Sequence, residues 1–350
     1  MRLIGNIDTL SQIEISLRSA IKRVSALAHT LLTGAAGCGK TSTARYITDL
    51  TGWKFVSVAC DAIKTRSDVL ALIKKLDHTG YDKFGHYIKG SIIKPTIIFI
   101  DEIHNLSLSA QEYLGILMEE WYMPMTLKEA NLMKIDVSDI NDDGAGLVCW
   151  APKFSLIGAT TNDGKLSKPF RDRFKLRFVF TPYSLEESIQ IVFLHAEKLK
   201  INIDQPGAAE IAARGRGVPR VLVSLLERCR DASIATSDGS ISRELAVVAF
   251  HYMDIDNSGL TKTDINLLKV LYDVAVPVGL DNLSTILNES PKVISEAIEP
   301  YLIQRGLVLR ASKGRTITDK GRRYLSDGGY IKQSSNQEKF AITKSFDRGI

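Results

Sequence analysis

Only four cysteines occur in 350 residues, at positions 38, 60, 149 and 229. None stands in a C-x-x-C pair, so neither a zinc site nor a disulfide framework is supported. No apolar run approaches the ~20 residues that span a bilayer. No signal peptide is visible, because Met1 to Gly5 leads directly into a polar, amphipathic stretch. These absences argue against a membrane protein or a disulfide-stapled secreted domain, and a reducing cytoplasm is the simplest location. What remains is a globular chain of ordinary hydrophobic content, long enough for two or three domains. The net charge of +5 is unevenly placed. Between Arg305 and Leu325 seven basic residues (Arg305, Arg310, Lys313, Arg315, Lys320, Arg322, Arg323) face one acid, Asp319. Such a local excess suits either a nucleic-acid partner or a solvated face.

Gly34 to Thr41 reads Gly-Ala-Ala-Gly-Cys-Gly-Lys-Thr, which fits the phosphate-binding pattern G-x-x-x-x-G-K-[ST]. The apolar pair Leu31-Leu32 precedes it and a helical stretch from Ser42 to Leu50 follows, the strand–loop–helix context the motif needs. Gly34, Gly37 and Gly39 let the backbone turn its N–H groups inward. The following helix adds the positive end of its dipole. Lys40 is expected to neutralise the β- and γ-phosphates and Thr41 to offer a hydroxyl to Mg²⁺. Cys38, at a free position of the motif, is expected to fill space.

Thr96-Ile97-Ile98-Phe99-Ile100 is a parallel strand buried on both faces. It ends in Asp101-Glu102, at the sheet edge where α/β folds place ligands. Two unpaired acids at the end of a buried strand would otherwise be costly. Asp101 is expected to hold Mg²⁺ through water, and Glu102 to polarise an attacking water. The two motifs together are the Walker A and B pair of an NTPase. His104 completes Asp-Glu-Ile-His and reads as a structural residue. Phe154 to Ala159 is a second buried strand, ending in Thr160-Thr161-Asn162, which could sense a γ-phosphate or cap the next turn. Arg171 and Arg173 could form salt bridges or reach a neighbouring subunit's site.

Thr9 to Leu27 is a predicted helix with a capping box from Thr9 to Gln12. Ser67 to Leu76 reads as a helix, Thr79 to Lys94 as a surface loop, and Tyr122 to Pro152 as a hairpin or excursion around the turn signal Asn141 to Gly144. Helices alone follow Ser184. Arg220, in the first turn of one of them, opposes the helix dipole and asks for an anionic partner. Asp254 to Gly259 reads as a linker. Three further helices and a basic hairpin at Ala311-Ser312-Lys313-Gly314 describe a winged helix.

With these strings in place the chain resembles the RuvB family, AAA+ motors of Holliday-junction branch migration, over about residues 3 to 325. Phe99-Ile100-Asp101-Glu102-Ile103-His104, Leu156-Ile157-Gly158-Ala159-Thr160-Thr161 and Arg171-Asp172-Arg173-Phe174 recur loosely in many AAA+ proteins. Pro277 to Leu283, Glu299-Pro300-Tyr301-Leu302-Ile303-Gln304 and Lys313-Gly314-Arg315 are more specific to RuvB. The resemblance implies an AAA+ α/β ATPase domain with a parallel sheet (1–182), a small all-α lid (183–257), a winged helix (258–330) and a flexible tail (331–350). It implies ATP as substrate and Mg²⁺ as cofactor. Nucleotide would be bound by Ile4, Gly34, Gly37, Cys38, Gly39, Lys40, Thr41, Ser42, Tyr183, Pro219 and Arg220. Asp101 and Glu102 would be the Walker B acids, Thr161 sensor 1, Arg220 sensor 2 and Arg173 the arginine finger. The stretch Glu119-Glu120-Trp121 falls where the family approaches nucleotide. Arg310, Lys313 and Arg315 would touch DNA.

The implied partners are duplex or four-way junction DNA, further copies of the chain in a hexameric ring, and a RuvA-like junction-binding protein, with no membrane. The implied work is DNA recombination and repair. Ala35-Ala36 replaces the family's proline pair, Leu3-Ile4-Gly5-Asn6 stands at its Val-Gly-Gln element, and the segment from Tyr122 to Lys153 is longer. Those departures suggest a divergent or phage-encoded member. Two other functions fit an AAA+ domain joined to a winged helix: a nucleotide-gated DNA-binding switch like the Orc-type initiators, and a clamp or helicase loader.

Overall fold

The computed structural model describes residues 3–82, 87–132, 147–236 and 239–331. All but the first residue of the expected tail at 331–350, and the turn at 141–144, lie outside them. The chain divides into two compact units: the chain up to Ile191 with Gly217–Val223, and Val192–Arg216 with the chain from Ser224 onward.

The first unit begins with α1 (Ile7–Lys22), β1 (Thr30–Gly34) and α2 (Lys40–Thr51). β2 (Phe55–Val58), α3 (Arg66–Ile73), β3 (Thr96–Ile100) and α4 (Leu108–Glu120) follow. β4 (Tyr122–Met125) and β5 (Leu147–Trp150), with α5 (Leu127–Leu132) after β4, form the expected hairpin, pairing antiparallel from Tyr122↔Trp150 to Met125↔Leu147. β6 (Phe154–Thr160), α6 (Lys168–Asp172) and β7 (Leu176–Phe180) complete a parallel sheet of order β2-β3-β6-β1-β7.

Strand alternation sorts the core into two layers. Leu31, Ile98, Ile100 and Leu156 face α3 and α4, while Leu32, Ile97, Phe99 and Ile157 join Ile13, Leu17 and Ile47 from α1 and α2. The register brings the ends of β1, β3 and β6 level, with Leu32 beside Ala159 and Ile100 beside Gly158. Polar groups from three separate loops therefore converge at one sheet edge.

The capping box expected at Thr9 does not form. The helix starts two residues earlier, after Asn6, which is left-handed (φ 48°) and makes no side-chain cap. Its Oδ1 accepts instead from the Thr181 N–H and hydroxyl, at 3.3 and 3.4 Å. α1 also stops at Lys22, short of the expected end, because Val24 turns left-handed (φ 52°).

His29 is buried beneath the end of α4. It stacks on Trp121 (5.5 Å) and leans on Phe154 (5.2 Å). Its Nδ1 accepts from the Leu156 N–H at 3.0 Å, so the proton sits on Nε2, which faces Met118 O at 3.2 Å. Both nitrogens of a neutral ring are used. Burial, with lesser repulsion from Lys175 and Lys153, lowers its pKa from 6.5 to about 4. Protonation is disfavoured in the fold, so stability should be full above pH 6.5 and fall as pH drops toward 4, by roughly 3 kcal/mol. Urea denaturation between pH 7 and 4, compared with His29→Gln, checks this; profiles that run parallel would rule it out.

The second unit carries the rest of α7 (Leu185–Leu199), β8 (Asn202–Ile203), α8 (Gln205–Arg214), most of α9 (Pro219–Thr236), β9 (Ser240–Ile241) and α10 (Arg243–Tyr252). The lid is not purely helical, since β8 and β9 pair in parallel over two residues. α11 (Lys262–Val274), α12 (Leu280–Leu287) and a third helical run follow. That run is α13 (Pro291–Val293) and α14 (Glu299–Gln304), joined by a π turn over Ile294–Ile298. β10 (Val308–Ala311) and β11 (Gly314–Ile317) make the wing, and α15 (Asp319–Asp327) closes the module. The stretch from Asp254 to Gly259 is a bonded turn rather than a loose linker. Asp256 Oδ1 accepts from the N–H groups of Ser258 and Leu260 at 2.8 and 2.9 Å.

Candidate nucleotide site and wing

The loop between β1 and α2 has backbone that only glycine carries easily. Gly34 has φ 143°, and a Cβ there would lie 2.4 Å from Phe180 O. Gly39 has φ 94°, and a Cβ would lie 2.9 Å from the Tyr183 hydroxyl. Lys40 follows as a buried residue whose Nζ donates to Gly34 O (2.7 Å) and Ala35 O (2.9 Å). Burial pulls its pKa down, while the Glu102 and Asp101 carboxylates oppose the shift. An ammonium held against two carbonyls is poised to exchange them for phosphate oxygens.

Thr41 Oγ1 lies 3.4 Å from Asp101 Oδ2, which groups two hard oxygen donors beside Lys40. That donor chemistry fits Mg²⁺. Glu102 caps β3 in a left-handed conformation, φ 46°. Its Oε2 accepts from the Thr161 N–H at 3.2 Å and hydroxyl at 3.0 Å. His104 Nδ1 lies 3.2 Å from the same oxygen and 2.9 Å from Thr160 Oγ1. His104, read from sequence as structural, thus touches the Glu102 carboxylate. The Thr160 hydroxyl also accepts from the Asn162 N–H at 2.9 Å, so Thr160 caps the turn while Thr161 faces Glu102. Behind this edge the Cys60 thiol lies 3.3 Å from the carbonyls of Asp101 and Glu102, and burial raises its pKa to about 11.

Tyr183 closes another side. Its hydroxyl donates to Cys38 O at 3.4 Å, and its N–H donates to Gly217 O at 2.8 Å. Its ring packs on Gly5, where a Cβ would be 2.6 Å away, so Ile4 is brought to the same corner. Arg220, in the first turn of α9 after Pro219, is exposed, and a Cβ on Gly37 would lie 3.0 Å from the Arg220 Cβ. Lys40, Thr41, Asp101, Glu102, Thr161, Tyr183 and Arg220 therefore surround one loop. Ser42 is half-buried at the start of α2.

Arg173 is bonded elsewhere. Its guanidinium meets Glu119 Oε2 at 2.8 and 3.0 Å and donates to Pro169 O at 3.0 Å. It lies over Gly115 of α4, where a Cβ would come within 3.1 Å of it. The sequence pointed to Glu119 only as a position near nucleotide, and its pairing with Arg173 leaves no local signal.

In the wing, Arg310 and Lys313 are exposed, with Lys313 at the two-residue turn. Arg315 corrects the expectation of a DNA contact. It is 7% exposed and makes two bonds to the buried Glu299, at 2.5 and 3.2 Å. A guanidinium that is almost wholly buried, with one edge bonded to an internal carboxylate, presents no surface for a phosphate. Arg315→Met should cost about 3–5 kcal/mol by stranding Glu299. Arg310→Ala and Lys313→Ala should leave stability within about 0.5 kcal/mol. Each should instead lower the salt dependence of DNA binding by about one counterion. Thermal melts and salt titrations of DNA affinity separate the two effects; a stable Arg315→Met protein with weakened DNA binding would restore the contact role.

Comparison with known proteins agrees with this layout. Residues 30–182 match the ATPase family associated with various cellular activities, 183–256 the RuvB AAA lid domain and 257–326 the RuvB C-terminal winged helix domain. The Holliday junction branch migration complex subunit RuvB of a Wolbachia of Drosophila simulans (strain wRi) is 33% identical over 326 residues, 92% of this chain and 91% of that protein. The chain belongs to the RuvB family. The same subunit of Bdellovibrio bacteriovorus is 34% identical over 321 residues, 90% of this chain and 88% of its own. The solved Thermotoga maritima RuvB Holliday junction branch migration motor superposes with a TM-score of 0.74 at 28% identity, over 92% of this RuvB-family chain and 95% of that one. The fold is thus AAA ATPase, lid and winged helix, and the activity class is ATP hydrolase. Among the described residues no helix is long and apolar enough to cross a membrane.

Proposed function

We propose that this protein is an ATP-driven DNA translocase that moves Holliday junctions, working in the cytoplasm as a ring of identical subunits. The observation that carries the reading is Glu102, held by Thr161 at the edge shared with Lys40, Thr41 and Asp101, in a chain that ends in a RuvB-type winged helix. A switch that only binds ATP has no need of a carboxylate so positioned.

Gly37 to Ser42 cradle the phosphates, and Ile4, Tyr183 and Pro219 border the base and sugar. Glu102 orients the attacking water and draws off its proton. Lys40 and Arg220 offset charge growing on the transferred phosphoryl group. Mg²⁺, held by Thr41 and through water by Asp101, would supply further charge neutralisation at the β- and γ-phosphates. Arg173 serves as a finger for the adjoining subunit's nucleotide, which makes a ring, in this family type a hexamer, the active form. Arg310 and Lys313 hold DNA by its phosphates, largely without sequence preference. The β4–β5 hairpin is the surface for a RuvA-like junction-binding partner.

The test is a labelled synthetic four-way junction incubated with the protein, ATP and Mg²⁺. The expected result is junction-stimulated ATP turnover with resolution of the junction into two duplexes. ATP turnover indifferent to DNA, with the junction left intact, would refute the reading.

A further inference from the structure

The chain passes from α8 to α9 through Gly215-Arg216-Gly217-Val218. Arg216 and Gly217 are both left-handed, at φ 58° and 66°. For arginine that conformation carries a steric cost, so tertiary contacts must hold it there. The boundary between the two compact units falls between these residues, with Arg216 in the second and Gly217–Val223 in the first.

The Arg216 side chain explains why the backbone is held. One terminal nitrogen meets Asp264 Oδ2 at 2.5 Å, and Nε donates to Gly259 O at 2.9 Å. The guanidinium lies over the Tyr301 ring at 4.5 Å. All three partners belong to the winged helix or the turn that leads into it. Asp264 is 1% exposed and is the third residue of α11, the partner of Thr261 in the capping box that starts the helix, accepting from the Thr261 N–H and hydroxyl at 2.7 Å each. The far side of the turn is fastened as well. Asp256 Oδ2 accepts from the Tyr324 and Tyr330 hydroxyls, and Tyr301 donates to Ser258 O at 2.7 Å. Lid and winged helix are thereby joined into one body. Four residues beyond Arg216 stands Arg220, against the phosphate loop.

We infer that Arg216 is the positioning residue through which the nucleotide-sensing segment moves the DNA-binding module. Gly217 is the pivot, and Arg216 is the grip on the winged helix. A shift of Gly217 to Arg220 on hydrolysis pulls Arg216, the adjoining residue of the second unit, and the Asp264, Gly259 and Tyr301 contacts carry that pull into α11 and α14. The inference rests on the motor reading above and adds to it the part that transmits force.

The test uses the full chain with ATP and a four-way junction. Arg216→Lys keeps a charge on Asp264 but loses the forked bonding and the flat stack. The double variant Arg216→Met/Asp264→Asn avoids a stranded buried charge. Both should keep ATP affinity and basal turnover within about twofold of wild type. Junctions moved per ATP hydrolysed should fall about tenfold. A parallel fall in turnover and migration would assign Arg216 a merely structural role, and unchanged coupling in folded variants would overturn the inference.

A second readout stands even if the wild-type protein proves inert toward junctions. Spin labels at positions 234 on the lid and 312 on the wing should give one narrow distance in the wild type, unaltered by added ATP. The distribution should broaden in both variants. A broad wild-type distribution, or a narrow one in the variants, would also overturn it.

Discussion

Arg173→Ala should bind ATP normally and turn it over roughly 10³–10⁵-fold more slowly, the value of an arginine finger in phosphoryl transfer. The Arg173 guanidinium bonds away from its own phosphate loop, to Glu119 and Pro169. Its charge is nonetheless oriented, because the Glu119 carboxylate and the open face at Gly115 fix the guanidinium in place. The loss should therefore appear in turnover and not in nucleotide affinity, which the proposed mechanism assigns to Lys40 and the loop. Complementation sharpens the test. A ring mixing Arg173→Ala with Lys40→Ala subunits contains some sites with an intact loop from one variant and an intact finger from the other. Such rings should regain measurable turnover although neither variant has it alone. Normal turnover by Arg173→Ala by itself would show that no finger acts from this position.

Glu102→Gln should trap the protein in its ATP-bound form, with turnover lowered roughly 10²–10⁴-fold. Glutamine keeps an oxygen able to accept from the Thr161 N–H and hydroxyl, so the left-handed end of β3 and its neighbours should stay in place. What it cannot do is take a proton from water. Single-turnover hydrolysis and nucleotide-binding titrations on the same preparation separate the two properties. If binding were lost together with turnover, Glu102 would be a structural clamp and not the base. DNA affinity measured with ATP present should persist in this variant, whereas junction movement should stop.

The two readings that competed with a motor differ in what they ask of this carboxylate. A nucleotide-gated switch would tolerate Glu102→Gln with little change in its working state. A loader would act on a ring-shaped partner and leave a bare four-way junction unmoved.

Much of the site was legible along the chain because its chemistry is local. The glycine-rich loop, the acids closing β3 and the threonines closing β6 are each set by consecutive residues. The apolar runs before them told which strands are buried on both faces. Errors arose where a side chain answers to a distant partner. Thr9 and Gln12 have the spacing of a capping box, yet the helix start follows Asn6, whose amide is engaged by Thr181 far along the chain. Arg315 sits in a basic string beside Lys313, and only the fold shows that Glu299 draws it inside. His104 reads as structural in the sequence, but nothing in Asp-Glu-Ile-His says that its ring will meet Thr160.

The sequence by itself determined the family of chemistry: a phosphate loop, a pair of acids on a buried strand and a basic winged module, all written in short-range spacing and period. Tertiary structure alone decided which charges are spent internally and which are free to act. Arg173 with Glu119, Arg216 with Asp264 and Arg315 with Glu299 are separated by 54, 48 and 16 residues. Pairing at such separations follows from how the elements pack and which carboxylates that packing buries, and neither leaves a periodic mark on the chain.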